Sequence, residues 1–481
     1  MVKRALAVLL AVLMMGSILA GCNGDGDTST TSTPGGDTSI SGDITYAVYE
    51  GSEVDAQAVI DEFNKVYPNI KVTIRTFPSD PGLTDYLSTQ ASTGNLPDIA
   101  YGWDEMAYFA QEGWLYPLDE FLDADDETQY IHGPSLEKYT IADRTYAVPV
   151  WLQFTAMVLN LDMIDELNED VPAYNWTYDE FERLVREATS STTSGINHVH
   201  ALEEYLLSVF EDRSMHQYGY NPETHQFNLA TGAWQKAIEA QEELKSISGL
   251  VSDDLKNDLL PEGEMDDYDK KFGKDADALR EGKVLVGLHG TPDIAWIKTL
   301  PYSWDYYPIP CESEDQYRNL VHSDYAFMTS TCKNPEAAYV FLKWISFGKD
   351  GLLSRLDVYG AKVDDNGEPN PEFPIPASSH PDVVAKFNSL DYVPGGIKYM
   401  YENMGDNDAV QDYYKVLPDF WNTLTPVIEE ARFRIENGES PSALAQEVTD
   451  LINSQYTTIY NEFISKMQTV ASEFDAKKSA S

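Results

Sequence analysis

Cysteine is scarce in this chain, with three among 481 residues. Cys22, Cys311 and Cys332 are too few for a four-thiolate metal centre or a disulfide scaffold. Outside the cytoplasm Cys311 and Cys332 could pair, and two free buried thiols are the equal alternative. Positive charge is also in short supply: 33 Lys and Arg stand against 80 Asp and Glu, a formal charge of −47. That balance opposes nucleic acid and anionic lipid as partners. The acids are dispersed, which fits a solvated acidic exterior; a preference for cationic ligands is the other reading. Beyond the first 21 residues no apolar run approaches the ~20 residues that cross a bilayer as a helix. Catalytic signatures are missing too. No Gly-x-Ser-x-Gly elbow, His-Glu-x-x-His helix or P-loop occurs, so the chain is not expected to be an enzyme. His198 and His200 form a lone His-x-His without matched cysteines or acids, and Thr128 stands where a calcium loop opening at Asp123 needs glycine. No metal and no cofactor are expected.

What is present begins at the N-terminus. Lys3 and Arg4 precede an apolar run from Ala5 to Leu19. At about 1.5 Å per residue this helix is too short for a hydrocarbon core of about 30 Å, so it reads as a signal peptide over 1–21. Leu19-Ala20-Gly21-Cys22 resembles a bacterial lipobox, which makes Cys22 the expected site of lipidation. Residues 22–42, rich in Gly, Asp, Ser and Thr, read as a flexible tether to the membrane surface.

The remainder is longer than one core usually supports, so two lobes are expected. Ile44 to Tyr49 reads as a strand, and Val54, Ala58, Ile60, Phe63 and Val66 recur at helical spacing until Pro68-Asn69. Ile70 to Ile74 returns as a strand, a helix runs to Ser92, and Asp98 to Tyr101 forms a third strand. Such alternation argues for an α/β fold with largely parallel sheets, in which ligands sit beyond the carboxyl ends of strands.

The order of segments resembles the family 1 extracellular solute-binding proteins, the sugar-binding subunits of ABC importers related to maltose-binding protein. The resemblance rests on Val59 to Val72, Ser92 to Ile99, Glu112 to Asp119, Tyr146 to Val150 with Leu159-Asn160, Trp176 to Phe181, Gly282 to Gly287 and Lys333 to Tyr339. It implies a two-lobed periplasmic-binding-protein fold of type II character, with a hinge and an interlobe cleft. Lobe 1 would take 43–152 plus 318–349, and lobe 2 would take 153–317 plus 350–481. A carbohydrate ligand, ABC permease subunits as partners, a lipid anchor on the extracytoplasmic face of a Gram-positive-like envelope and a monomeric state follow as expectations.

A sugar offers apolar C–H faces and paired hydroxyls, so its site needs aromatic platforms with planar donors and acceptors. Tyr49 with Glu50, and Trp103 with Asp104, follow strand ends, and the resemblance implies a platform and an acidic hydrogen-bonder at the second pair. Trp151 and Gln153 follow the crossing between lobes; the family example carries a carboxylate where this chain has Gln153. His289, Asp293 and Trp296 follow a strand and open a helix whose amides would favour an electronegative ligand atom. Asp324, beside His322, lies where the chain returns to lobe 1. Packed tryptophans and helix-capping aspartates are the plainer reading of several of these residues. A surface-anchored glycoside hydrolase working through two carboxylates, and a sensor built on the same fold, are the alternative functions.

Overall fold

The computed structural model describes residues 39–79, 82–103, 106–255, 265–405 and 408–480. The signal peptide, Cys22, Asp104 and most of the tether lie outside the described residues.

The first sheet opens with strand β1 (Gly42–Tyr49), helix α1 (Glu53–Val66), β2 (Ile70–Phe77), helix α2 (Leu83–Ser92) and β3 (Ile99–Gly102). These elements follow from the local sequence. Glu53 and Asp55 occupy the first turn of α1 and Lys65 the last, as the helix dipole favours. The buried stripe of α1 is Val59, Ile60 and Phe63, while Val54 is exposed at the first turn rather than facing the core. β1 pairs in parallel with both β2 and β3.

Two more strands of this sheet frame the crossing between lobes. Strand β4 (Val148–Phe154) leaves the first sheet, and after Thr155 the chain enters the second sheet as β5 (Ala156–Asn160). The second sheet is completed by β6 (Ser194–Ile196), β7 (Val284–Leu288) and β8 (Trp304–Pro308), in the order β8-β5-β7-β6. The chain then returns as β9 (Asn319–Met328), antiparallel to both β3 and β4. Largely parallel sheets were expected from the alternation, and the structure corrects this: β5 runs antiparallel to both β7 and β8, β10 to β4, and β9 to β3 and β4, the last because it re-enters at the carboxyl ends of β1 and β3. It can only run back against them. β10 (Ile375–Pro376) and β11 (Ala409–Gln411) add to the same sheet from the C-terminal third. Two adjacent strands thus carry the chain between lobes, and Thr155 N donates to Leu320 O at 3.1 Å where they cross.

The α/β, two-lobed architecture is therefore present. The helical C-terminal region expected from the resemblance includes a single 40-residue helix, Pro441–Ala480. Near its start Asn453 exchanges hydrogen bonds with the backbone of Phe227, 2.9 and 2.8 Å. Near its end Asp475 receives both Arg144 amino groups, 3.0 and 2.6 Å, and Lys478 meets Glu120 at 2.7 Å. No helix among the described residues is long and apolar enough to cross a membrane. Cys311 and Cys332 are both free thiols, which settles that open alternative. Burial pushes them up to about 11 and about 12, so both stay protonated at neutral pH.

Candidate functional site

Between the two sheets lies a cavity of about 450 Å³. Its first-lobe wall is built from the end of β3, the end of β4 and the start of β9. At Gly102 a Cβ would crowd the Tyr325 ring at 3.0 Å and Leu83 at 3.1 Å; the next residue, Trp103, lines the cavity. Its ring packs edge-on to Tyr49 at 5.7 Å and tilted on Phe77 at 6.1 Å. Gln153, His322 and Asp324 also line it.

Asp324 is a buried carboxylate surrounded by donors. Tyr101 Oη, Trp151 Nε1 at 2.9 Å and Gln153 Nε2 at 3.1 Å all donate to its Oδ2. Trp151 lies behind this wall rather than on the cavity, its indole tied to Asp324. Beneath Asp324 is a cluster that local sequence could not show. Lys415 Nζ is 3.7 Å from Asp324 Oδ1, 2.9 Å from Asp412 Oδ2, and donates to Ser323 O at 3.0 Å. Lys138 donates to the other Asp412 oxygen, and His322 Nδ1 is 3.4 Å from Asp412. His322 Nε2 reaches Thr155 Oγ1, the crossing residue, at 2.8 Å.

Burial alone would raise the Asp412 carboxyl, but Lys138 and Lys415 overcome it and hold the group well below the carboxylate range. Burial lowers Lys415, and Asp412 with Asp324 more than reverse that, leaving it raised. Lys138, wholly buried, is pushed down to about 8 by desolvation despite Asp412. Two carboxylates and two ammonium groups therefore balance beneath a cleft whose protein carries −47 overall. The dispersed acidity of the sequence says little about the cleft.

The second-lobe wall is lighter. Leu288 ends β7, Gly290, Pro292 and Asp293 follow it, and Tyr205 comes from the helix Leu202–Phe210. His289 Nδ1 and Asp293 Oδ2 are 2.9 Å apart, and the His289 ring packs on Trp296 at 5.0 Å. Trp296 is covered on another side by the Arg280 guanidinium at 5.3 Å and does not line the cavity. The helix expected here is short, a 3-10 turn over Thr291–Asp293 and then Ile294–Ile297. One turn sums too few peptide dipoles to make a strong anion site. Asp293 makes no side-chain capping bond, since its carboxylate is turned to His289.

The structure brings Trp103, Gln153, Asp293 and Asp324 to one cavity, with His289 behind Asp293. Tyr49 lines a different cavity behind the first sheet, together with Trp151. Glu50 is exposed on the turn after β1 and lines neither. The sequence reading missed Tyr205, His322, Tyr414 and Lys415 as cavity residues. Tyr414 and Lys415 follow β11, outside every block of the resemblance, and only the adjacency of His322 to Asp324 gave any signal.

Residues 50–346 match the profile of the bacterial extracellular solute-binding proteins. The chain belongs to this family. Solved structures agree on the fold of this solute-binding protein. It is similar to an ABC substrate-binding protein from Listeria monocytogenes in complex with cycloalternan, with 18% identity, TM-score 0.61, and coverage of 86% of this chain and 98% of that one. The GacH receptor of Streptomyces glaucescens, solved unliganded and with acarbose, shares 17% identity at TM-score 0.60 over 87% and 99%. The sugar-binding protein MalE of Xanthomonas citri shares 13% at 0.61 over 90% and 99%.

Proposed function

We propose that this solute-binding protein captures a carbohydrate, an oligosaccharide, in the interlobe cleft and delivers it to the membrane subunits of an ABC importer. One observation supports this reading most: three aromatic side chains, Trp103, Tyr205 and Tyr414, share a 450 Å³ cavity with Gln153, His322, Asp293 and Lys415. Aromatic faces suit the C–H faces of a pyranose, and amide, carboxylate and ammonium groups suit its hydroxyl rim. The similar structures from Listeria and Streptomyces, whose complexes carry cycloalternan and acarbose, point the same way.

In this reading lobe 1 takes 43–152 and 318–349 together with the helix Lys349–Gly360, β10 and β11 on the first sheet, lobe 2 centres on 153–317, and the helix Pro441–Ala480 is tied to both. The β4 to β5 and β8 to β9 crossings form the hinge, and closure brings Tyr205 and Asp293 toward Trp103. The protein works as a monomer and not as an enzyme. The chain is exported, cut before Cys22 and held by lipid on the outer face of the membrane. The tether then keeps the receptor at high local concentration beside its permease.

Calorimetric titration with maltodextrins, plant-type oligosaccharides and a polyamine tests the ligand class. Micromolar binding of a sugar is expected; binding of the polyamine alone would overturn the carbohydrate reading. Palmitate labelling of cells producing the full chain or Cys22→Ala tests the anchor, with label expected on the first and absent from the second.

A further inference from the structure

A second cavity, of about 160 Å³, lies behind the first sheet, between β1, α1 and the helix Lys349–Gly360. Tyr46, Tyr101, Trp151 and Tyr359 form much of its wall, and Arg355 lies against it. Arg355 is 3% exposed. Its Nη1 donates to Val150 O at 3.1 Å and Ile345 O at 2.6 Å, and its guanidinium stacks 5.3 Å over Trp151. None of the described residues accepts from its Nε or Nη2, and no described carboxylate lies within ion-pair distance. The two acids on the same wall, Asp55 and Glu372, are instead bridged by Lys362 at 2.9 Å each. Burial lowers the guanidinium's pKa.

An arginine stays charged at any physiological pH, and a buried charge without a counter-ion is costly. Buried charges are as a rule paired, and the free edge of a guanidinium is a planar fork that matches a carboxylate. Aromatic walls around that fork suit a ring or a short carbon skeleton. We infer that the cavity behind the first sheet is a binding site for a carboxylate group, held by Arg355 between Tyr46, Tyr101 and Tyr359. It is distinct from the interlobe cleft and stands independently of what the cleft binds. The two share a wall, however, since Tyr101 and Trp151 both donate to Asp324. A carboxylate in this cavity sits one side chain away from the cleft.

Thermal unfolding of the full chain in sodium acetate, sodium glucuronate or sodium chloride at equal ionic strength, with glucose as neutral control, tests the site. Acetate or glucuronate should raise the wild-type Tm in a saturable way while chloride and glucose do not. A response to acetate marks free small carboxylates as occupants; a response to glucuronate alone marks a sugar acid. Arg355→Met, which keeps the bulk and removes the charge, should lose the shift, and Arg355→Lys should weaken the half-saturating concentration by about tenfold or more. The inference is overturned if neither carboxylate shifts the wild type, or if Arg355→Met keeps the shift. Should Arg355→Met not fold, equal half-saturation in wild type and Arg355→Lys overturns it as well.

Discussion

The two walls of the cleft are built on different principles. On the first lobe, Asp324 and Lys415 are nearly buried, and every donor and acceptor around them belongs to a cross-braced cluster reaching Tyr101, Trp151, Asp412 and Lys138. On the second lobe, Asp293 is exposed at the start of a single helical turn, tied only to His289. One wall is set before a ligand arrives. The other has few ties and is free to adjust, which is what the proposed closure would use.

The strongest way to break this comparison is to remove the centre of the first-lobe cluster. Asp412→Asn leaves Lys138 and Lys415 buried without their shared carboxylate and should cost about 3–5 kcal/mol in urea unfolding. Adding Lys138→Met should recover part of that loss. If Asp412→Asn is neutral, the cluster does not hold the wall. Acid should loosen the same wall from below. Burial pushes His216 down to about 3, and its Nδ1 accepts from Gln411 N in β11, next to Asp412. Because the folded value lies below the ordinary 6.5, the unfolded chain binds the proton first. Stability is then full above pH 6.5 and declines as pH falls toward 3. Urea midpoints across that window should fall, and less steeply in His216→Gln.

A smaller effect is expected at Asp324→Asn. Its donors Tyr101, Trp151 and Gln153 lose a charged acceptor, costing about 1–3 kcal/mol of stability with weaker ligand binding. Trp103→Ala should lower affinity for the cleft ligand about tenfold, read by calorimetry on the folded variant. Smallest of all is Asp293→Asn, with a stability change within about 0.5 kcal/mol in the same urea assay. A large loss there would mean that the second wall is as rigid as the first.

The opening β-α-β-α-β run was legible because each element is decided by neighbours in the chain. Apolar spacing, the Pro68-Asn69 stop and the turn at Gly94 placed α1, β2, α2 and β3 within a few residues of where they lie. Trp103 and Gln153 were legible as strand-end residues for the same reason. Trp296 misled because a tryptophan in the helical turn after a strand looks the same whether it faces a ligand or packs on His289 and Arg280. Lys138 and Lys415 were invisible, since their meaning is Asp412 and Asp324, and Lys138 is 274 residues from its partner. The length of the helix Pro441–Ala480 went unread because its contacts answer to surfaces as far away as Phe227 and Arg144.

By itself, then, the sequence determined the α/β alternation, the family resemblance and the supply of aromatics at strand ends, because periodicity and turn chemistry are local. Tertiary structure alone decided that β9 runs antiparallel, that Tyr49 and Trp151 face a different cavity from Trp103, and that an acidic protein has a charge-balanced cleft floor. Charge balance and register are properties of pairs, and those pairs exist only once distant segments meet.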